Sequence, residues 1–426
     1  MFINAVYKTF KTNERHIYTF LVFCQIFLVH RNFQIIFLLY CLHADPNHLI
    51  LDSIDMIFND TYHLLTPKCT EDGFLEDHIA LYKRFYRKDI PTIYEVLYDN
   101  GILTVIMALY AIHASNYTPI TKKLDRAEWF CKPRGTNLII KNTFKFHDGY
   151  FRHKILKFPI SYEIIKQCNQ SIHIFSPDVH LYYSNIPFCI LPPPPPENKF
   201  PLAILCTEQL YSPRIEILDW IVWHLSQGFS HAIIYINDEK IEQMKSDLSD
   251  AIKKGFLKIV DWNWPRNSHV QDQVPSLMSC LYHNKRRTKW IGFNDIDESF
   301  VALNKNTVKD FLIANEHKRM SISALVAPNR FILTSQRFVK NPLCSVSFEP
   351  VPWRQKLIVV PDNTDSIAVH RVANGKKTWK SNELMNAHYK IKDVLKLYKK
   401  DTRLTNCSIN MLDKEIEKFK KLVNYY

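Results

Sequence analysis

Two acidic residues separated by one apolar residue, Asp295 and Asp297, are the side chains of this sequence best suited to hold a metal ion. They lie in an Asp-Ile-Asp-Glu segment directly after the apolar run Trp290–Phe293. Carboxylates at this spacing can both approach one hard divalent cation, and such a cation can neutralise two phosphate groups of a substrate. This chemistry suits a reaction in which a diphosphate leaves. A solvated acidic turn at a strand end is the alternative interpretation.

The elements that must position this acidic turn follow from the apolar pattern after Pro201. Strand-length apolar runs alternate there with amphipathic helical stretches, a pattern typical of βαβ units and a mainly parallel sheet. The predicted strands are Leu202–Cys206, Ala232–Ile236, Phe256–Val260 and Trp290–Phe293, and the predicted helices are Ile215–Gln227, Lys240–Lys254 and Val274–Lys285. Because ligands bind outside the carboxyl ends of strands in such sheets, the acidic turn stands where a substrate would be held.

A run of five prolines, Pro192–Pro196, predicts a boundary between folded regions, since consecutive prolines form an extended segment without backbone donors. We therefore expect a β-rich region at residues 45–190, a Pro-rich linker at 191–201, an α/β domain at 202–400 and a basic C-terminal helix at 401–426. The upstream region alternates short apolar stretches with Pro, Asn and Gly turns and carries no catalytic constellation.

The N-terminal segment is mostly apolar over residues 17–42 and follows three basic residues, as in a signal anchor. Arg31 splits the run into two pieces, each shorter than the roughly 20 apolar residues that cross a bilayer. Three interpretations stay open: a tilted anchor that tolerates Arg31, a signal peptide made of the first piece, or two amphipathic pieces of a soluble protein.

Composition narrows the classes of partner. At 426 residues and 46% hydrophobic content, the chain can bury sizeable cores. The net charge of +13 attracts phosphorylated donors, anionic lipids or nucleic acid. No zinc-finger spacing, aromatic RNA-binding signature or basic-region heptad accompanies the charge, so we expect no nucleic-acid partner.

The cysteines and the glycosylation sequons indicate whether the protein belongs to an oxidising, lumenal compartment. The ten cysteines include no Cys-x-x-Cys pair, which argues against metal fingers and thioredoxin-like sites. Without Cys24 and Cys41, eight remain, which favours a few disulfides in a lumenal protein, with buried free thiols as the alternative. Asn-x-Ser/Thr sequons occur at Asn59, Asn116, Asn169 and Asn406.

The half after Pro201 carries four blocks whose order and spacing are specific: Leu205–Tyr211, Ile234–Asn237, Gln273 with Cys280, and Lys289–Glu298. In that order they resemble the signature blocks of glycosyltransferase family 92. The resemblance covers residues 201–390, is strongest at the acidic turn, and extends to the upstream segment Tyr94–His113. Met278 and Ser279 depart from it, since the family more often has polar Asn-Asp before this cysteine.

The resemblance implies a GT-A fold and a Mn²⁺-assisted, inverting transfer of a sugar, typically galactose, from a UDP-sugar to a glycan acceptor. It also implies a Golgi protein held in the membrane in type II orientation. Carried over to this sequence, Asp295 faces the donor sugar and ribose, Asp297 binds the metal, and Glu298 supports the metal shell. Asp295 and Asp297 are thus expected to contact both the nucleotide-sugar donor and the metal ion. Thr207, Asn237 and Gln273 are expected to contact the donor as well.

Later residues complete this expected site. By the same resemblance, His370 is the third metal ligand, since neutral imidazole ligates manganese; His388 is the second candidate, and an ordinary strand histidine is the alternative. Trp262 and Trp264 are suited either to stacking on an acceptor sugar or to core packing. Three acids, Glu349, Asp362 and Asp365, lie where a catalytic base is expected, but nothing in the sequence selects one of them.

The leading hypothesis is therefore an active glycosyltransferase. A carbohydrate-binding or scaffold protein that kept the fold without turnover is the second hypothesis, and the departures at Met278 and Ser279 motivate it. A metal-dependent phosphohydrolase using the same acids is a third, but no phosphate loop accompanies them.

Overall fold

The chain divides into two compact units, residues 1–64 and 65–426, in a computed structural model. The structure describes residues 20–29, 32–41, 68–76, 91–109, 123–124, 126–147, 153–209, 213–262, 269–303, 305–333, 346–348, 351–390, 400–401 and 410–424.

The first unit contains two paired strands in the segment for which the sequence left open a membrane anchor, a signal peptide or two amphipathic pieces. Strands β1 (Phe20–Val29) and β2 (Asn32–Cys41) pair antiparallel, with Val29 opposite Asn32. Nowhere in the described parts of the chain does a helix combine the length and the apolar character that a bilayer crossing requires.

The second unit begins with a β-rich region, as the short apolar stretches predicted. Its elements are β3 (Pro91–Asp99), β4 (Ile102–Leu109), β5 (Phe130–Pro133), β6 (Ile140–Lys141), β7 (Phe144–His147), β8 (His153–Pro159), α1 (Tyr162–Gln167), β9 (Ser171–Ser176), β10 (Leu181–Pro187) and β11 (Cys189–Ile190). They form a five-stranded sheet of order β11-β3-β4-β8-β7 and a four-stranded sheet of order β10-β9-β5-β6.

An α/β region follows the proline run. Its strands are β12 (Ala203–Gln209), β13 (Ala232–Ile236), β14 (Leu257–Asp261), β15 (Trp290–Phe293), β16 (Glu298–Ala302), β17 (Ala324–Leu333), β18 (Val346–Phe348), β19 (Val351–Val359), β20 (Thr364–Ala368), β21 (Arg371–Gly375), β22 (Thr378–Lys380), β23 (Leu384–Lys390) and β24 (Lys400–Asp401). Its α-helices are α2 (Arg214–Ser226), α3 (Ile241–Asp247), α4 (Ser249–Lys253), α5 (His269–Asn284), α6 (Val308–Ala314) and α7 (Asn410–Leu422). Four 3₁₀ turns complete the described elements of this unit: Pro177–Val179, Glu197–Lys199, Glu316–Ser321 and Pro361–Asn363.

The predicted βα order is observed in the first part of this region. Strands β13 and β15 have the predicted bounds, and helix α2 ends before Gly228, whose φ of +92° suits glycine. The single helix predicted at Lys240–Lys254 is instead two short helices, α3 and α4, that meet at Leu248.

The main sheet is mixed, which corrects the expectation of a mainly parallel sheet. Strands β14, β13, β12 and β15 are parallel neighbours, but β15 pairs antiparallel with β19, which in turn pairs antiparallel with β17. Parallel neighbours require long crossover connections. In the described chain, helices connect β12, β13, β14 and β15, so these four strands can run parallel. In the other half of the sheet, β16 and β23 pair antiparallel.

One hydrophobic core joins the β-rich region to the α/β region. Tyr94 of β3 and Leu156 of β8 belong to the same buried cluster as Cys206 of β12 and Tyr235 of β13. The opposite face of the main sheet packs in a second core that includes Trp220 of helix α2. The predicted linker therefore connects two parts of one compact unit.

Among the described residues of the second unit, two disulfides are formed, as the cysteine count favoured. Cys69 is bonded to Cys189, and Cys206 of β12 is bonded to Cys280 of α5. The alternative also occurs, because Cys131 and Cys168 are buried free thiols.

Candidate active site

The acidic turn after β15 is closed by its own backbone. The Glu298 amide donates to the Asp295 carbonyl oxygen at 3.0 Å. In return, the Asp295 amide donates to Glu298 Oε2, also at 3.0 Å. This reciprocal pair turns the Glu298 carboxylate inward, where it is 1% exposed, while the Asp297 side chain stays 47% exposed.

Lys356 of β19 joins two of the acids from beneath. Its Nζ lies 2.8 Å from Asp295 Oδ2 and 3.2 Å from Glu298 Oε2, and the lysine side chain is 2% exposed. Gln273 of helix α5 donates to the other Asp295 oxygen at 3.2 Å. Both oxygens of Asp295 therefore have protein partners that fix its orientation.

The pKa shifts in this cluster follow from burial and from the lysine. Burial alone raises the pKa of Asp295, but Lys356 outweighs it and holds that pKa below its ordinary value. At Glu298 burial prevails, and the pKa is raised. Burial alone lowers the pKa of Lys356, whereas the two carboxylates raise it above the ordinary lysine value, so Lys356 stays a cation.

His388 contacts the remaining acid. Strands β16 and β23 pair with Glu298 opposite His388, which puts the imidazole beside the turn. His388 Nε2 lies 3.0 Å from Asp297 Oδ2, and His388 Nδ1 lies 3.2 Å from Glu298 Oε1. The Tyr389 amide also donates to the Asp297 carbonyl oxygen at 3.0 Å, which ties β23 to the turn.

His370, the first candidate for a third metal ligand, lies beside the other half of the cluster. Its Nδ1 is 3.1 Å from the Gln355 carbonyl oxygen, so Nδ1 carries the proton in that hydrogen bond. Burial, reinforced by the charge of Lys356, lowers the pKa of His370 to about 4, while Asp295 opposes this effect. The ring is therefore neutral near pH 7, as a metal-binding imidazole must be.

The other expected donor-binding residues lie at the carboxyl edge of the parallel strands. Thr207 and Gln209 end β12, and Asn237 directly follows β13, where its amide donates to the Gln209 carbonyl oxygen at 3.1 Å. Thr207 is 1% exposed and Asn237 5% exposed. Together with Gln273 at Asp295, they occupy the edge at which open α/β sheets bind ligands.

Trp262 does not stack on an acceptor sugar, because its side chain is fully buried. Its ring centroid lies 6.1 Å from that of Tyr94 and 5.2 Å from that of Tyr235. Of the two interpretations, core packing is correct for Trp262, since β3 of the β-rich region covers it. Trp264 lies outside the described residues.

The candidate bases are engaged elsewhere or lie outside the described residues. Asp365 Oδ1 accepts from Lys157 at 2.7 Å, and Asp362 Oδ1 accepts from the Arg286 amide at 2.7 Å. Both pairs lie at the C-terminal end of helix α5, away from Gln273 near its start. Glu349 is not among the described residues.

Sequence reasoning missed Asn329 of β17. Its Nδ2 donates to Glu298 Oε1 at 3.2 Å, and the side chain is fully buried. The sequence contained a signal, because Pro328 interrupts an apolar run. In the structure, the ladder between β17 and β19 shifts register at this point. Proline inside a strand marks such a bulge, and a bulge re-aims the neighbouring side chain.

The donor set fits a divalent cation that substrate oxygens would complete. In the described part of the chain, no group of three or more His, Cys, Asp or Glu side chains is arranged to hold a metal ion. The 3.0 Å between Asp297 Oδ2 and His388 Nε2 is a hydrogen-bond distance. It also matches neighbouring ligands of an octahedral ion, which lie about 3 Å apart when bonds are about 2.1 Å. His388 Nδ1 faces Glu298, as in carboxylate–histidine–metal triads.

The acidic turn lies at the edge where open α/β sheets bind ligands, and it is backed by the buried Lys356 and by His388. The sequence model of glycosyltransferase family 92 matches residues 203–424, just over half of the chain. The chain belongs to glycosyltransferase family 92. A comparison with curated proteins found no match.

Proposed function

We propose that this protein is a Mn²⁺-dependent, inverting glycosyltransferase of GT-A fold that transfers a sugar from a UDP-sugar, galactose by expectation, to a glycan acceptor. Family membership supports glycosyl transfer as the class of reaction. The dependence on a metal ion is supported by the contact between Asp297 and His388 on the exposed side of the acidic turn.

Each residue of the cluster has a separate task in this proposal. Asp297 and His388 are the protein ligands of the cation, a change from the expected set of Asp295, Asp297 and His370 that rests on the contacts of Asp295 with Lys356 and Gln273. A bound divalent cation supplies charge neutralisation for the leaving diphosphate.

The remaining groups hold the donor. Asp295, held by Lys356 and Gln273, is oriented to accept hydrogen bonds from donor hydroxyl groups. Thr207 and Asn237 line the same edge for the nucleotide. His370 would contact the donor through Nε2, because its Nδ1 is committed to the Gln355 carbonyl oxygen.

The disulfide bonds support a proposal about the compartment. The disulfides Cys69–Cys189 and Cys206–Cys280 persist in an oxidising lumen and are rare in a reducing cytosol. We therefore propose the secretory pathway as the compartment of this enzyme, with the Golgi as the expected organelle.

Met278 and Ser279, whose departure from the family pattern motivated the hypothesis of an inactive carbohydrate-binding protein, are explained by their packing. Met278 is fully buried and its Sδ accepts from the Ile367 amide at 3.2 Å, while Ser279 Oγ lies 3.0 Å from Tyr235 Oη. Both departures from the family pattern therefore lie inside the core and leave the acidic turn intact.

A donor screen tests the proposed function. Purified protein is incubated with a panel of UDP-sugars, and release of UDP is measured with Mn²⁺ and with a chelator. We expect UDP release from one donor, UDP-galactose first among them, only when Mn²⁺ is present. UDP release that is unchanged by the chelator would reject the metal dependence, and no release from any donor, with or without acceptor glycans, would favour the inactive binding protein.

A further inference from the structure

A cleft lies where the β3–β4 hairpin meets the C-terminal end of helix α5. Its volume is about 290 Å³. The half-buried Ile102 supplies apolar surface and the exposed Asn100 a polar group, while Leu97 and Thr104 of the lining are buried. Ligand pockets begin at roughly 300 Å³, so this cleft suits one small residue of a ligand rather than a whole nucleotide.

The cleft is separate from the acidic turn. Helix α5 touches the turn through Gln273 and lines the cleft with Tyr282, and Lys285, the residue directly after the helix, lines the cleft as well. Twelve residues separate Gln273 from Lys285, and a rise of 1.5 Å per residue puts them about 18 Å apart along the helix. A ligand in the cleft therefore cannot be the sugar or diphosphate held at Asp295.

Two lysines of the cleft share one carboxylate. Lys157 Nζ lies 2.7 Å and Lys285 Nζ 3.6 Å from the same oxygen of Asp365. Both ammonium groups also lie over the ring of Tyr282, at 5.5 Å and 4.9 Å from its centroid. The lysine side chains are 18% and 17% exposed, so solvent and a ligand can reach them.

Because Lys157 and Lys285 share the single carboxylate of Asp365, that carboxylate does not neutralise both ammonium groups. Burial, with the nearby charge of Lys157, lowers the pKa of Lys285 to about 8, although Asp365 and Asp362 oppose the shift. A cation whose pKa falls in spite of carboxylate neighbours is one that a further anion would stabilise.

Arg286 of the cleft and the neighbouring Arg287 add positive charge beside the two lysines. Arg286 donates to Asp99 at 2.6 Å, and Arg287 lies 3.4 Å from the same carboxylate. Arg286 has a φ of +57°, a left-handed backbone that is unusual for arginine, and the Asp362 carboxylate holds its amide there. Three cationic side chains and two carboxylates line the cleft: Lys157, Lys285 and Arg286, with Asp99 and Asp362. Their direct ion-pair partners Asp365 and Arg287 adjoin it and bring the totals to three carboxylates and four cations.

We propose that this cleft binds a sugar residue that carries one carboxylate or sulfate group, with the anion at Lys157 and Lys285 and the ring over Ile102. The choice of a sugar rests on the proposed function, in which the protein acts on glycans, whereas the anionic group follows from the lysines. The cleft then acts as a second glycan-binding site that favours acidic acceptors.

Direct binding to the purified full-length chain tests this proposal. Galactose 6-sulfate and glucuronate are titrated against the protein, with galactose and glucose as their neutral counterparts. We expect the acidic sugars to bind about tenfold more tightly than the neutral ones, and Lys285→Gln to remove about tenfold of that affinity. Lys141→Gln, which removes an exposed lysine paired with Glu128 in the β-rich region, is the matched control and should bind like wild type.

Two further arms separate the causes. Asp297→Asn should retain acidic-sugar binding even if it loses UDP release, so failure of the cleft and failure of the proposed function are read separately. Equal binding of acidic and neutral sugars, or unchanged binding in a Lys285→Gln protein with the wild-type melting temperature, would overturn the proposal. Binding of inorganic sulfate as tight as that of galactose 6-sulfate would reject the sugar and leave only an anion site.

Discussion

The Lys356 ammonium lies 2.8 Å from Asp295 Oδ2, in a position where 2% of the lysine side chain is exposed. Because Lys356 also contacts Glu298, it stabilises two of the three acids of the turn. Asp297, the third acid, faces outward and pairs with His388. The turn thus combines two inner carboxylates that share the Lys356 cation with an outer pair, Asp297 and His388, that can exchange its hydrogen bond for a ligand.

Replacing Lys356 by methionine should destabilise the fold. The change keeps the aliphatic stem but leaves two carboxylates without their buried cation, and breaking such a pair costs about 3 kcal/mol. Urea unfolding at pH 7 measures the loss. Lys141→Met, at an exposed ion pair, should change the free energy of unfolding by less than about 1 kcal/mol. Equal losses in the two variants would contradict the role given to Lys356.

Replacing Asp297 by asparagine should lower transfer by about 100-fold or more without changing the unfolding midpoint. The side chain is 47% exposed, so the fold does not depend on its charge, whereas cation binding does. Initial rates at saturating donor and a melting curve provide the two readouts. Asp250→Asn, which removes a carboxylate from helix α4, is the control, and a similar activity in both variants would reject the cation role.

Replacing His388 by alanine should raise the Mn²⁺ concentration needed for half-maximal transfer more than replacing His370 does. Loss of a residue that only hydrogen-bonds to a metal ligand weakens metal affinity by roughly 10–100-fold, so loss of a ligand should weaken it at least as much. Excess Mn²⁺ should restore part of the rate because water fills the vacancy. The measurement is a Mn²⁺ titration of wild type and both variants. If the His370→Ala curve shifts and the His388→Ala curve overlies wild type, the original assignment of His370 is the correct one.

Acid should destabilise the protein through buried neutral histidines. Burial lowers the pKa of His224 to about 3, although its hydrogen bond to the Trp220 carbonyl opposes the shift. The unfolded chain takes up this proton near pH 6.5, so the stability that His224 contributes is present above pH 6.5 and is lost as the pH falls towards 3.

A His224→Gln variant isolates this effect. Between pH 6.5 and 4, its free energy of unfolding should depend less on pH than that of wild type, by about 1.4 kcal/mol per pH unit. The raised pKa of Glu298 acts in the opposite direction, because its contribution is lost as the pH rises, but it is common to both proteins. Urea unfolding at several pH values measures the slopes, and parallel curves would rule out His224 as the titrating group.

Local pattern was sufficient to predict the elements around the site. Strands β13 and β15 have the bounds that their apolar runs predicted, and the acidic turn follows β15 directly. Such runs report which segments are buried, and glycine reports where a helix ends, because both properties belong to a few consecutive residues. The position of Asp295 and Asp297 at the carboxyl edge of the sheet followed from this order alone.

Only the tertiary structure decided which side chains meet there. Lys356 is 61 residues from Asp295 in sequence, and His388 is 91 residues from Asp297, so no local pattern could pair them. The antiparallel half of the sheet brings β19 and β23 to the turn, and the β-rich region buries Trp262 in a shared core. The sequence by itself determined the acidic turn and the strand that carries it, whereas its partners depended on long-range strand pairing, which is set by the packing of the whole unit.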